Sequence, residues 1–160
     1  MANEPHQWTL SWLSDAYLME RSITEVLENH VSATNKHPEL HARVLQHLEE
    51  TRNHERLVEE CINRLGGSAP SIKASISTFM GQMRAVSQAG GEDEPLKDSI
   101  SDYATEHFEM ATYKAIMTAA EAENDPETVD TCRKILLDEE DMARFLDDHL
   151  AQVATTVVRS

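Results

Sequence analysis

Apolar residues recur at helical spacing through most of this chain, three and four positions apart. Leu13, Ala16, Ile23 and Leu27 form one row, and Leu40, Val44, Leu57, Cys61 and Leu65 a second. Tyr103, Met110, Tyr113, Ile116 and Ala120 form a third, and Val129, Cys132, Leu136, Ala143, Leu146 and Leu150 a fourth. Breakers separate the rows. "NKHPEL" sets Pro38 at a first helical position, and "RLGGSAPS" ends that helix at Gly66 and Gly67. "AGGEDEPL" stops one element and starts another near Pro95, while "ENDPETV" offers Asp125 as an N-cap with Pro126 and Glu127 behind it. The pattern predicts four long helices, over about 7–33, 38–65, 95–122 and 126–153, each roughly 40 Å long at 1.5 Å per residue. A shorter helix over about 71–88 falls between the second and third.

The spacing of the breakers constrains topology. The first two helices are joined by a short turn, and so are the last two, making each pair an antiparallel hairpin. The connection between the hairpins is long enough to run the length of a bundle. This predicts an all-α protein, a ferritin-like four-helix bundle with a long crossover holding the extra short helix, over the simple up-down bundle with an inserted lid helix. At 160 residues the chain has the length of one domain, 1–160.

Each long helix carries polar residues on its apolar row. Glu20 interrupts the first. In "HLEETRNHERLVEE", His47, Glu50 and His54 continue the line of Leu40, Val44 and Leu57. Glu106 and Glu109 lie on the third row, and the pair Glu139/Glu140 on the fourth. A lone buried carboxylate costs several kcal/mol unless it is paired, protonated or metal-bound. Several converging carboxylates repel one another, and a divalent or trivalent cation among them removes the conflict. Their depths agree, since each lies near mid-helix, where antiparallel neighbours meet at one height. The hairpins echo each other too, with 30 positions from Glu20 to Glu50 and 31 from Glu109 to Glu140. Oxygen-rich ligation with one or two imidazoles suits iron or manganese, and a di-metal site needs about six such ligands. The candidate ligands are therefore Glu20, His47, Glu50, His54, Glu106, Glu109 and Glu140. His47 and His54 serve either as ligands or as hydrogen-bond partners of ligating carboxylates. Tyr17 and Tyr113, one turn from Glu20 and Glu109, either hydrogen-bond those carboxylates or simply pack. Glu49, Glu55, Glu59, Glu60 and Asp138 are read as solvated.

Composition narrows the partners. The net charge is −15, and the 14 Lys and Arg form no cluster. Nucleic acid and anionic membranes both need a positive footprint, so neither is an expected partner; such a field either attracts a small cation or serves solubility alone. No run approaches 18 apolar residues and the N-terminus shows no signal peptide, so the expected location is cytoplasmic. Cys61 and Cys132 are read as two small buried hydrophobes rather than as halves of a disulfide. There is no Gly-rich phosphate loop, no G-x-S-x-G and no CxxC.

Four stretches, "WLSDAYLMERSI", "HLEETRNHERL", "EHFEMATYKAI" and "LLDEEDMARFL", resemble the helix signatures of the YciE/YciF stress-protein family within the ferritin-like superfamily. The similarity runs from about Trp8 to Leu150 and is strongest toward the YciE branch. The resemblance implies a ferritin-like bundle that forms homodimers, a link to bacterial stress responses, and no securely established reaction. The wider superfamily, rubrerythrins in particular, implies two irons held by one Glu on the first helix, Glu-x-x-His on the second, Glu-x-x-Glu on the third and Glu-x-x-His on the fourth. Glu20, Glu50, Glu106, Glu109 and Glu140 match the carboxylates of that pattern. Its two histidines do not carry over, because Asn53 and Ala143 stand there. His47 or His54 replaces the first imidazole from the same helix face, and Glu139 is the one nearby candidate for the second. Two metals in an all-carboxylate setting, one metal, or an empty site remain open. The expected function is oxidation of Fe(II) or consumption of peroxide at a di-iron or di-manganese centre. The alternative is a non-enzymatic, stress-induced dimer that binds a partner and keeps a degenerate site.

Overall fold

The structure, a computed structural model, describes residues 6–71, 91 and 93–159. Among the described residues there are four helices: α1 Gln7–Ala33, α2 Pro38–Arg64, α3 Glu94–Ala122 and α4 Pro126–Arg159. The predicted helix over 71–88 lies outside the described residues. α4 runs past the end anticipated near Val153, because "ATTVVR" contains no Gly or Pro to stop it.

The sequence breakers act where they stand. α2 ends with Gly66 at φ 83°, and the Gly67 N–H reaches back to the Ile62 carbonyl at 2.9 Å, closing the last turn. A Cβ on Gly67 would lie 2.6 Å from Leu10 Cδ1, so glycine there lets α2 close against α1. α3 ends the same way with Asn124 at φ 58° and the Asp125 N–H on the Ala120 carbonyl. Asp125 then caps α4, accepting from the Thr128 N–H at 3.4 Å, and its carboxylate receives the Arg64 guanidinium of α2. The Glu123 carboxylate at the end of α3 accepts the Trp8 and Thr9 N–H groups at the open start of α1.

Cross-helix contacts give the topology. α1 packs against α2 and α3, and α4 against α3 and α2. Along α1 and α3, Thr9 meets Glu123, Glu20 meets Tyr113, and His30 meets Asp102, so the two run antiparallel. Along α2 and α4, Arg64 meets Asp125, His54 meets Asp138, and Glu39 meets His149, again antiparallel. α2 therefore ends at one end of the bundle and α3 begins at the other, which is the ferritin-like crossover and excludes the up-down arrangement. The core runs along the axis from Leu13, Ile23 and Leu27 through Val58 and Ile62 to Ile116, Ile135 and Leu146.

Candidate metal centre

Midway along that axis the core turns polar. Glu20 of α1, His47 and His54 of α2, Glu106 and Glu109 of α3, and Glu139 of α4 all lie at 1% exposure or less. They form two groups, His47–Glu106–Glu109–Glu139 and Glu20–His54–Glu139. In each, one ligand atom per residue lies within 4.8 Å of the others. Glu139 belongs to both.

The two imidazoles show how the cluster is organised. His47 lies with Nδ1 3.1 Å from Glu50 Oε2, and His54 with Nε2 3.0 Å from Asp138 Oδ2. Glu50 is itself gripped by Arg43 at 2.9 Å and Gln46 at 2.7 Å. Burial pushes its carboxyl up, but the hydrogen bonds from His47, Arg43 and Gln46 outweigh that and hold it down at about 2. A carboxylate on the outer nitrogen orients each ring and turns its inner nitrogen toward the axis.

Those inner nitrogens form ion pairs with carboxylates of the cluster. His47 Nε2 lies 3.0 Å from Glu106 Oε1 and 3.6 Å from Glu139 Oε2. His54 Nδ1 lies 2.9 Å from Glu139 Oε1 and 3.8 Å from Glu20 Oε2. Among the described residues, Glu20 Oε2 and both oxygens of Glu109 have no hydrogen-bond partner. Buried polar atoms left so would cost several kcal/mol, and they are the arrangement that ions between them would satisfy. Glu20 keeps one fixed oxygen, since Tyr113 donates its phenol to Oε1 and leaves Oε2 for the cluster.

The electrostatics agree. Burial drives Glu20 up to about 8, with Glu139 adding repulsion and His54 opposing. Burial and the neighbouring Glu139 also raise Glu106 and Glu109 well above the usual carboxylate range. For Glu139 burial is outweighed by His54 and His47, and its carboxyl is lowered. Burial lowers His54, but Glu139, Glu20 and Asp138 carry it up to about 9. Without another cation the pocket gathers protons. Four carboxylates and two neutral imidazoles would balance two divalent cations, and the donor set fits iron or manganese.

The structure thus brings together Glu20, His47, His54, Glu106 and Glu109 of the residues singled out from sequence. Glu50 stands at the edge of the cluster, 19% exposed, as the partner of His47. Glu140 is exposed on the outer side of α4, where it borders a shallow groove with Tyr103 and His107, and Glu139 takes the inward position. Asp138, read as solvated, holds His54, a contact that only the α2–α4 packing creates. Tyr113 bonds Glu20, whereas Tyr17 lies under the Arg21 guanidinium. No helix of the described residues is long and apolar enough to cross a membrane.

Fold and cluster together define a ferritin-like bundle with a buried carboxylate–histidine site. Residues 5–158 match the family described as Domain of unknown function (DUF892), and the chain belongs to that family, which is YciE/YciF-like. Among solved structures, a protein from Xanthomonas campestris pv. campestris is similar at 29% identity and a TM-score of 0.84, over 98% of this chain and 97% of its own. YcfI from Rhodopseudomonas palustris matches at 21% identity and 0.77, over 91% and 94%. The E. coli stress protein YciF matches at 20% and 0.78, over 96% and 99%.

Proposed function

We propose that this chain is a di-metal protein, with iron or manganese as resident cofactor and Glu139 shared between the two ions. His47, Glu106 and Glu109 would complete one site, and Glu20 and His54 the other. One observation carries the reading: six side chains from four helices are fully buried together, four carboxylates against two imidazoles, and among the described residues Glu20 Oε2 and both Glu109 oxygens have no hydrogen-bond partner. A degenerate polar network would not leave a buried carboxylate such as Glu109 with neither oxygen partnered.

When loaded, such a centre supplies redox chemistry toward Fe(II) and oxygen or peroxide, in a stress setting like that named for the YciF relative. The chain's own residues have definable tasks. Glu50 and Asp138 aim the two imidazoles, and Tyr113 pins one oxygen of Glu20. Glu109, with both oxygens unbonded, is the carboxylate with freedom to change its coordination. The surrounding apolar core excludes bulk water. A homodimer is part of this reading, as the family resemblance implies.

Inductively coupled plasma mass spectrometry on untagged protein, prepared without chelator, tests the proposal. About two iron or manganese ions per chain are expected. Protein that is metal-free and also refuses Fe(II) added anaerobically would overturn the reading in favour of a non-enzymatic binding protein.

A further inference from the structure

The two cysteines lie along the same α2–α4 seam as the metal ligands. His54 lies against Glu139, its Nδ1 2.9 Å from Oε1, and this contact sets the antiparallel register. Cys61 follows His54 by seven residues, and Cys132 precedes Glu139 by seven. Seven residues make two turns, so an equal step along both helices leads from one facing pair to the next. Beyond them Arg64 is bonded to Asp125 at 2.7 Å and Thr128 at 2.8 Å, so the helices are held together on both sides of the pair. Both thiols are free and buried, Cys61 at 5% exposure and Cys132 at 1%. The Cys61 thiol is among the groups that raise Cys132, as its place beside that residue would have it.

We propose that Cys61 and Cys132 form a dithiol–disulfide couple that staples α2 to α4 when the protein meets hydrogen peroxide. Cys61 is the more exposed thiol, so it reacts first. It gives up its proton, and the thiolate sulfur attacks one peroxide oxygen. The O–O bond breaks, the departing hydroxide takes up a proton as water, and Cys61 becomes a sulfenic acid. The Cys132 sulfur then attacks Cys61, the S–S bond forms, and the sulfenic oxygen leaves as a second water with the proton of Cys132. Two thiols and one peroxide thus give one disulfide and two waters, the sulfurs supplying both electrons. Burial pushes the Cys132 thiol up to about 12, which keeps it protonated and slow toward peroxide, so Cys61 is the sulfur oxidised first. The bond would hold in register the two helices that carry His47, His54 and Glu139. The couple needs no metal.

Full-length protein, in chelator-treated and metal-loaded preparations, is exposed to hydrogen peroxide while folded. It is then unfolded in alkylating reagent and mapped by mass spectrometry. The expected result is joint loss of both free thiols, one Cys61–Cys132 linked peptide pair within a single chain, and recovery of both thiols with dithiothreitol. In Cys132→Ala, a sulfenic acid at Cys61 should be trapped by dimedone. Thiols that stay alkylatable, Cys61 oxidised to sulfinic acid without a linked pair, or disulfides only between chains would each overturn the proposal. Because the chelator-treated sample is expected to behave in the same way, failure here leaves the metal reading untouched, and failure of that reading leaves this one.

Discussion

Between Glu139 and Glu140 a helix turns by about 100°, enough to carry a carboxylate from the bundle axis to solvent. The apolar row of α4 through Cys132, Leu136 and Ala143 passes between the two directions. Hairpin spacing and the superfamily pattern point to Glu140, and packing against α2 turns Glu139 inward instead. Glu20, Glu106 and Glu109 were easier to place, because apolar residues a turn away on each side fix their direction. The consequence is testable residue by residue. Glu139→Gln should remove both metal ions from the purified protein, whereas Glu140→Gln should leave metal content unchanged; retention in the first variant would sink the shared-ligand role. Glu50 and Asp138 act through histidines, so each alanine variant should still bind metal, with affinity lower by about 10–100-fold in an anaerobic Fe(II) or Mn(II) titration. Unchanged affinity in both would remove their aiming role. Asp138 had no sequence signal, since its partner is 84 positions away on another helix.

At the scale of elements, the helices could be read from Pro38, Pro126 and the glycine pair, whose stereochemistry ends or starts a helix in any context. The relation of the hairpins could not be read so directly, because connection length permits both a crossover and an inserted lid. Long-range polar pairs decide it, and the one between α1 and α3 at His30 is unusual. Its ring places Nδ1 2.9 Å from Asp102 and Nε2 3.4 Å from Asp98, with all three residues buried. Burial lowers the imidazole's affinity for a proton, but Asp102 and Asp98 outweigh it and the group is raised above its usual 6.5. A raised histidine contributes stability that is fully present below the unfolded value and is lost as pH rises through the folded one. His30→Gln should therefore cost about 1–3 kcal/mol at pH 6 and clearly less at pH 9, read from urea midpoints at each pH. An equal cost at both would show that the ring acts by packing rather than by charge.

At the scale of the molecule, a chain of net charge −15 places its most concentrated carboxylates where water cannot reach them, so the apo protein carries a conflict that protons or metal must resolve. Glu20 moves from 4.5 to about 8 on folding and His54 from 6.5 to about 9, with Glu106 and Glu109 shifted in the same direction. In all four the folded state holds its proton where the unfolded chain has released it, so stability falls as pH rises. Glu139 and Glu50, both lowered, act in the opposite sense, but their contribution is complete above 4.5 and lost only in acid. The signs therefore separate by window. Chelator-treated protein should be most stable near pH 5 and lose stability steadily toward pH 8. Bound Mn(II) or Fe(II) replaces the protons as counter-charge, so the loaded protein should hold its stability across that range, and loading should release protons that a weakly buffered pH measurement can count. Thermal unfolding at half-unit steps of pH, with and without Mn(II), makes the comparison. An apo profile that is flat or rises between pH 5 and 8 would mean that the buried carboxylates are already satisfied, and the need for a cation at the centre of the bundle would disappear with it.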